Sequence, residues 1–261
     1  MGRRTLLAGL TGLVAAPAFA AETGQSWLDY EVRLRARLAD AGGGRFNAAA
    51  ERRIVTLTNA ARAEQGAPAC AWSDELALAA RAHAADLAGR AYVEHLSPEG
   101  FDPSHRVSIL ARRLIGSASE NIAYRRAAEP ATADDLMTIW RKSPPHWTNL
   151  LRATHSRFGF GVAVRGERTY AVGLYSRADG ELGAPLPFRL GREADLAGAI
   201  SQASPRVDSF TVSDPVDTKD AANLAADPAP ILAPGVYQLR PKRRLEGRRY
   251  EVLWGPIFVR I

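Results

Sequence analysis

Five histidines, His83, His95, His105, His146 and His155, are the residues of this chain best suited to move a proton or bind a metal near neutral pH. His83 repeats with Leu76, Ala80 and Leu87 at helical spacing, so it reads as a core histidine on an apolar stripe. His105 falls in the first turn of an expected helix and His155 in the polar link "RATHSR"; both read as surface residues. His95 and His146 differ. Each follows an expected helix end beside a proline turn, in "YVEHLSPEG" and "RKSPPHWTN", where a side chain can point into a cleft. Between them, "SENIAYRR" sets Glu120 just ahead of apolar Ile122 and Ala123. A carboxylate in that setting needs a cationic or hydrogen-bonding partner, or its pKa rises. Two histidines and a glutamate from separate loops could supply one another, or hold Zn²⁺ or another divalent cation with positions open to water. Spacing alone does not establish this. Fifty residues separate His95 from His146, and the chain has no H-E-x-x-H, C-x-x-C or G-x-S-x-G. The competing reading is a polar network that only stabilises loops.

The elements that must position these residues are helical first. Residues 26–40 read as a helix with Leu28, Val32, Arg35 and Leu38 near one face, ended by a Gly42-Gly43-Gly44 hinge. Residues 46–65 carry a stripe of Ala50, Ile54, Leu57 and Ala61, stopped by Gly66 and Pro68. Ser73 is an expected N-cap with Asp74 and Glu75 in the first turn. A third helix is expected from Asp102-Pro103 to near Gly116. A fourth is expected from Thr132, boxed by Asp135, through Trp140 to Pro144-Pro145. After residue 157 the apolar period changes to two, with Phe158, Phe160, Val162 and Val164, then Tyr170, Val172 and Leu174. The break at Gly166-Glu167 makes this a β-hairpin. Helices followed by an antiparallel sheet predict a layered α+β fold.

The two ends have a different character. "MGRRTLLAGLTGLVAAPAFA" has a basic start, an uncharged stretch and an A-x-A ending, so residues 1–20 read as a secretory signal, with Arg3-Arg4 in the style of twin-arginine export. No second stretch is long enough to span a membrane, so no anchor is expected after cleavage. With Cys70 as the only cysteine, an exported chain has no internal disulfide, and its core must hold it together. Residues 179–261 form a Pro/Ala-rich linker, a short helix near 194–204 and a basic, β-like tail. Tyr237 to Ile261 holds seven Arg or Lys against Glu246 and Glu251. The tail could touch anionic envelope material, but the favoured reading is a small β-unit packed on the preceding domain, whose removal leaves that domain folded. Nucleic acid is not expected for an exported chain with no recognition motif.

Several segments in order, "LTNAARAEQGAPACAWSDELALAARAHAADLAGRAYVEHLSPEGFDPSHR", "SENIA", "IWRKSPPHWTNLL", "FGFGVAV" and "YAVGLYS", resemble the CAP superfamily, the SCP-like domain of cysteine-rich secretory proteins, venom allergens and plant pathogenesis-related proteins, in its bacterial branch. The likeness rests on Asn59, Arg62 and Gly66, on His95 before Ser-Pro, on Glu120-Asn121-Ile122, and on Trp140, Ser143, His146 and Asn149. It implies an α-β-α sandwich over residues 46–178, behind a helical extension at 21–45. It implies a cleft built on His95, Glu120 and His146, with the histidines able to bind a divalent metal. The family's second acid, expected soon after Trp140, is replaced by Arg141-Lys142-Ser143, and Pro145 stands where glycine is common. The function expected is therefore binding of a lipid, a glycan or a protein by a monomeric exported module, with Trp140, Trp147 and Tyr175 lining the cleft. The alternatives are a hydrolase with Glu120 as general base, and an envelope protein whose polar triad is purely structural.

Overall fold

A computed structural model describes residues 24–191, 196–200, 202–217, 220–224, 232–247 and 249–261; the expected signal segment lies outside the described residues. The first part runs α1 (Gly24–Asp40), β1 (Arg45–Phe46), α2 (Ala48–Glu64), β2 (Ala71–Trp72), α3 (Asp74–Arg90), α4 (Pro103–Leu110), β3 (Leu114–Arg126), α5 (Ala133–Arg141), α6 (Pro144–Leu151), β4 (Arg157–Arg165) and β5 (Arg168–Glu181). These strands make one sheet in the order β1-β4-β5-β3, with β2 also on β4. β3, β4 and β5 are antiparallel neighbours, and β3 is an edge.

Strand alternation sorts side chains to the two faces. Phe158, Phe160 and Val162 pack with Ala171 and Tyr175 against α2, α5 and α6. Between them, Gly159 and Gly161 face α3. A Cβ at either would stand 2.1 or 2.3 Å from the backbone nitrogen of Ala77 or Arg81, so only glycine lets this helix lie so close. The helix answers with small side chains, Ala77, Ala80 and Ala84, all buried. Tyr170, Val172 and Leu174 cover the same face with α1, α3 and α4. The result is the α+β, α-β-α sandwich expected from the sequence.

The motif residues Asn59 and Arg62 prove to be framework. Asn59 bonds both the backbone nitrogen and the carbonyl of Cys70, at 3.0 Å each. Arg62 is buried and donates to the carbonyls of Pro68, Leu150, Arg152 and His155. Cys70 is buried, as a structural free thiol should be, and burial raises its pKa.

Five expectations need correction. The first helix is not an extension: Trp27, Tyr30 and Leu34 are in the main core with Leu28 and Leu38 packed against it, and of the expected apolar face only Val32, 53% exposed, points away. The Gly42–Gly44 run is a packed turn, not a hinge; a Cβ on Gly42 would meet the Ala85 carbonyl at 2.1 Å. The helix from Pro103 ends at Leu110, and "SENIA" lies on a 13-residue strand rather than a loop. Pro144-Pro145 stops α5 and also opens α6, because proline suits the first turn of a helix.

The remaining chain adds β6 (Arg189–Leu190), α7 (Leu196–Ile200), β7 (Ser209–Ser213), β8 (Asp220–Asn223), β9 (Gly235–Arg244), β10 (Tyr250–Val252) and β11 (Ile257–Arg260). They form a second sheet, β6-β11-β9-β7-β8, with β10 on β9. It has its own core around Phe210, Val212, Leu239 and Phe258, but Phe188, Ile257 and Val259 pack into the core that holds Trp27 and Leu174. Arg112 ties the two parts, donating to the carbonyls of Leu186 and Ile257 at 2.6 and 2.8 Å. Removing residues 179–261 would therefore uncover part of the main core, which argues against the expectation that the first part folds unchanged without them.

Candidate functional site

Glu120 and Asn121 are adjacent on the edge strand β3, so their side chains leave it on opposite faces. Glu120 pairs in register with Leu174 and turns to the α3 side; Asn121 pairs with Gly173 and turns to the α6 side. Each residue grips one of the two histidine-bearing segments.

On the first face, α3 ends at Ala91 in the left-handed conformation, and the chain turns into the loop that carries His95. That loop is tied internally, with Ser97 N on the Phe101 carbonyl at 2.9 Å and Glu99 on Arg90 at 2.6 Å. His95 places Nδ1 2.8 Å from Glu120 Oε1. The other carboxylate oxygen accepts from Arg106 at 2.9 Å. Arg106 is wholly buried on α4 and also donates to the carbonyls of His95 and Phe101, at 2.7 and 3.0 Å. His83 stands behind, its Nε2 3.9 Å from Glu120 Oε1 and 3.0 Å from the Glu94 carbonyl.

The charges follow from this packing. Burial alone would raise the Glu120 carboxyl, but the Arg106 guanidinium and the His95 hydrogen bond outweigh it and bring the pKa to about 2. Burial, helped by the nearby Arg106 charge, lowers His83 to about 3, so it is neutral at pH 7. His95 goes the other way: its bond to Glu120 raises it, against a smaller effect of burial. Its side chain is 53% exposed, so its ring faces solvent while its anchor does not.

On the second face the contacts are neutral. Asn121 donates to the His146 carbonyl at 2.9 Å and accepts from Asn149 at 3.0 Å. Asn149 accepts from Ser119 at 2.8 Å, and His155 Nε2 lies 3.3 Å from the same oxygen. This chain of amides fixes α6, whose first turn carries His146. Burial and the nearby His95 charge lower the His146 pKa. Its buried Nδ1 has no hydrogen-bond partner.

The structure thus gathers His95, Glu120, Asn121, His146 and Asn149 around one strand. Ser143 sits at the N-cap of α6 and makes no side-chain capping bond. Trp140 and Tyr175 do not line an open cleft; both are fully buried under the α2–α5–α6 layer. Trp147 is half-buried beneath the Arg141 guanidinium, 4.8 Å from its ring centroid. His155 is buried in the amide chain and His105 caps α4 with Asp102, so neither is a free surface residue. Arg106 was not anticipated. Its only sign is an arginine one turn into α4 beside Val107, Ile109 and Leu110, on a face that is otherwise apolar. Among the described residues no group of three or more His, Cys, Asp or Glu is gathered for a metal, so a cation here would rest on two imidazoles. The donor types fit that open arrangement: Glu120 occupies Nδ1 of His95 and leaves Nε2, and His146 is held neutral.

Residues 55–175 match the family described as "CAP: Cysteine-rich secretory protein family". Over this stretch, a little under half of the chain, the protein carries a domain of the CAP type. The uncharacterized protein YkwD of Bacillus subtilis is 30% identical over 116 residues, 44% of this chain and 43% of that protein. The uncharacterized membrane protein YlbC of the same organism is 28% identical over 151 residues, 56% of this chain and 42% of that protein. The chain therefore spans less than half the length of the curated relatives it matches. Among solved structures, an extracellular SCP-domain protein from Bacillus anthracis is 26% identical, with a TM-score of 0.40 over 49% of this chain and 40% of that one. An outer surface protein from Borrelia burgdorferi is 15% identical, with a TM-score of 0.46 over 52% of this chain and 99% of that one. No helix among the described residues is long and apolar enough to cross a membrane.

Proposed function

We propose that the CAP domain is a binding module of an exported protein, with His95 and His146 as the binding pair and Glu120 as the carboxylate that positions His95. The observation that carries this reading is the state of Glu120. Both its oxygens are engaged, by His95 and Arg106, and its pKa is held at about 2. An efficient general base has a pKa near the working pH, so Glu120 is badly suited to activate water, and hydrolysis is the weaker reading. His95 is well suited to binding. Its ring is half exposed, its orientation is fixed through Nδ1, and a carboxylate behind an imidazole strengthens it as a ligand. His146, lowered by burial, offers the neutral imidazole that metal binding requires. The pair would take Zn²⁺ or a similar cation, alone or as the anchor for a lipid, glycan or protein segment of the cell envelope. Export is supported by the signal-like first twenty residues and by the secretory description of the matching family.

Calorimetric titration of Zn²⁺ into the metal-stripped protein tests this. Micromolar or tighter binding is expected, lost in both His95→Ala and His146→Ala. Glu120→Gln should retain binding weakened by about 10- to 100-fold, the effect of removing a carboxylate that only orients a ligand. Binding indifferent to both histidines would remove the cation from the proposal.

A further inference from the structure

A cavity lined by neither His95 nor His146 lies where the CAP domain meets the C-terminal sheet. It encloses about 480 Å³ and is walled from both sides. Asp102 at the N-cap of α4, Ser104 and His105 of α4 and Ser117 of β3 come from the CAP domain, while Pro215 and Val216 after β7, Gln238 of β9 and Trp254 between β10 and β11 come from the C-terminal part. The size is within the range of small-ligand sites, which favour such junctions. The two parts are fastened here: Gly116 N donates to the Trp254 carbonyl at 2.7 Å, next to the register shift between Ile115 and Gly116. Gly116 has no room for a side chain, since a Cβ would meet the Arg177 carbonyl at 2.4 Å. The wall around Trp254 is thus built rather than incidental.

The lining has a definite chemistry. Trp254 is 37% exposed and contributes a broad aromatic ring, with the Arg240 guanidinium 3.9 Å from its centroid. Gln238 is buried, with its amide nitrogen committed to Ser108 Oγ at 3.3 Å and the Gly255 carbonyl at 3.2 Å, so its carbonyl oxygen is the unspent acceptor. Ser104 and Ser117 add hydroxyls that donate or accept. Among the described residues Asp102 is the only acid in the wall and none is a Lys or Arg; the nearby Arg240 guanidinium is held against the Trp254 ring. Burial lowers the His105 pKa, so this imidazole is neutral at pH 7. Among the described residues an anion would meet Asp102 with no cation in the wall, and a fatty chain would leave the buried amide of Gln238 without a partner for its oxygen. A ligand with one apolar C–H face and hydroxyls around its edge matches both kinds of wall.

From this we propose that the junction is a saccharide-binding site, with Trp254 as the stacking platform and Ser104, Ser117 and Gln238 as hydroxyl partners. The C-terminal sheet then has a purpose beyond covering the core: it completes a site that the CAP domain only half forms. The site is independent of the histidine pair and of any metal there.

Saturation-transfer NMR on the full chain, with cellotriose, maltotriose, chitotriose and octanoate as probes, tests the proposal. Saturable binding of at least one trisaccharide is expected, weakened about tenfold or more by Trp254→Ala and by Ser104→Trp, and unchanged in His95→Ala. Ser104 is exposed, so its replacement plugs the cavity without disturbing the core and decides the matter alone if the Trp254 variant fails to fold. The proposal is overturned if no trisaccharide binds, if only octanoate binds, or if trisaccharide binding survives Ser104→Trp or is lost in His95→Ala.

Discussion

Two buried polar clusters flank the same strand, and they are built on opposite principles. Around Glu120 the cluster is ionic: a carboxylate with a side chain only 1% exposed, a fully buried guanidinium, and a histidine whose ring reaches solvent. Around Asn121 and Asn149 it is neutral: amides, a serine hydroxyl and an uncharged imidazole in a hydrogen-bonded chain. Taking charges out of water costs several kcal/mol per ion after relaxation, whereas a satisfied amide costs far less. A fold that needed only to fix the two histidine-bearing segments could have used amides for both. The ionic cluster stands where a ring must be held rigidly yet left half exposed, and the neutral one where a helix need only be anchored by its backbone. The difference separates the part suited to binding from the part that only supports it.

The sharpest way to break this comparison is Arg106→Met. It leaves Glu120 buried and charged without its main partner, and removing one member of a buried pair costs about 3–5 kcal/mol. Urea denaturation should register a loss of that order. Arg106→Met with Glu120→Met should recover most of it, because an apolar pair of similar volume has no charge to strand. If the single variant were as stable as the parent, the ionic cluster would be ordinary packing and the contrast would fail. Next in size is Asn149→Ala. It strands the Asn121 side-chain oxygen and leaves Ser119 only His155 as a partner, and unsatisfied buried groups cost about 1–3 kcal/mol. No double variant is needed to interpret it, since no charge is left behind. An effect as large as that of Arg106→Met would show that the two clusters are energetically alike.

Much of the scaffold was legible in the sequence, and the reason is local. The caps at Ser73, Asp102 and Thr132 and the period-two run from Phe158 each announce themselves within a few residues. His95, Glu120 and His146 could be named from their setting and from the family resemblance. Arg106 could not, because the carboxylate that makes its burial tolerable is 14 residues away on another element. His105 and His155 misled for the same reason. Each sits in a polar stretch of sequence, but His105 packs edge-on to Trp27 and His155 stacks near Tyr175. β3 was missed because Glu120 and Asn121 interrupt its alternation, and they do so because each is spent on a different face. The C-terminal sheet pairs β11 with β6 from nearly 70 residues earlier, and no local pattern encodes such a pairing.

The smallest expected effect concerns acid. His155, on the neutral side, is lowered to about 4 by burial and by the Arg152 and Arg62 charges. Its Nε2 is used by Asn149, and its buried Nδ1 has no partner to receive a second proton. The unfolded chain protonates this residue near pH 6.5 and the folded chain does not until about pH 4. Its contribution is therefore intact above pH 6.5 and shrinks as the pH falls toward 4, by up to about 1.4 kcal/mol per pH unit for one proton. Glu120 titrates with the same sign but lower, its contribution fading only as the pH falls from 4.5 toward 2. Between pH 6.5 and 5 the two clusters should thus separate. In that window His155→Gln should flatten the loss of stability measured by urea denaturation, bringing the variant closer to the parent as acid is added, whereas Glu120→Gln should fall further behind the parent, because the bond that raises the His95 pKa is lost. Parallel stability curves for parent and His155→Gln would mean that the neutral cluster accepts a proton after all, and that only the Glu120 side of the strand discriminates charge.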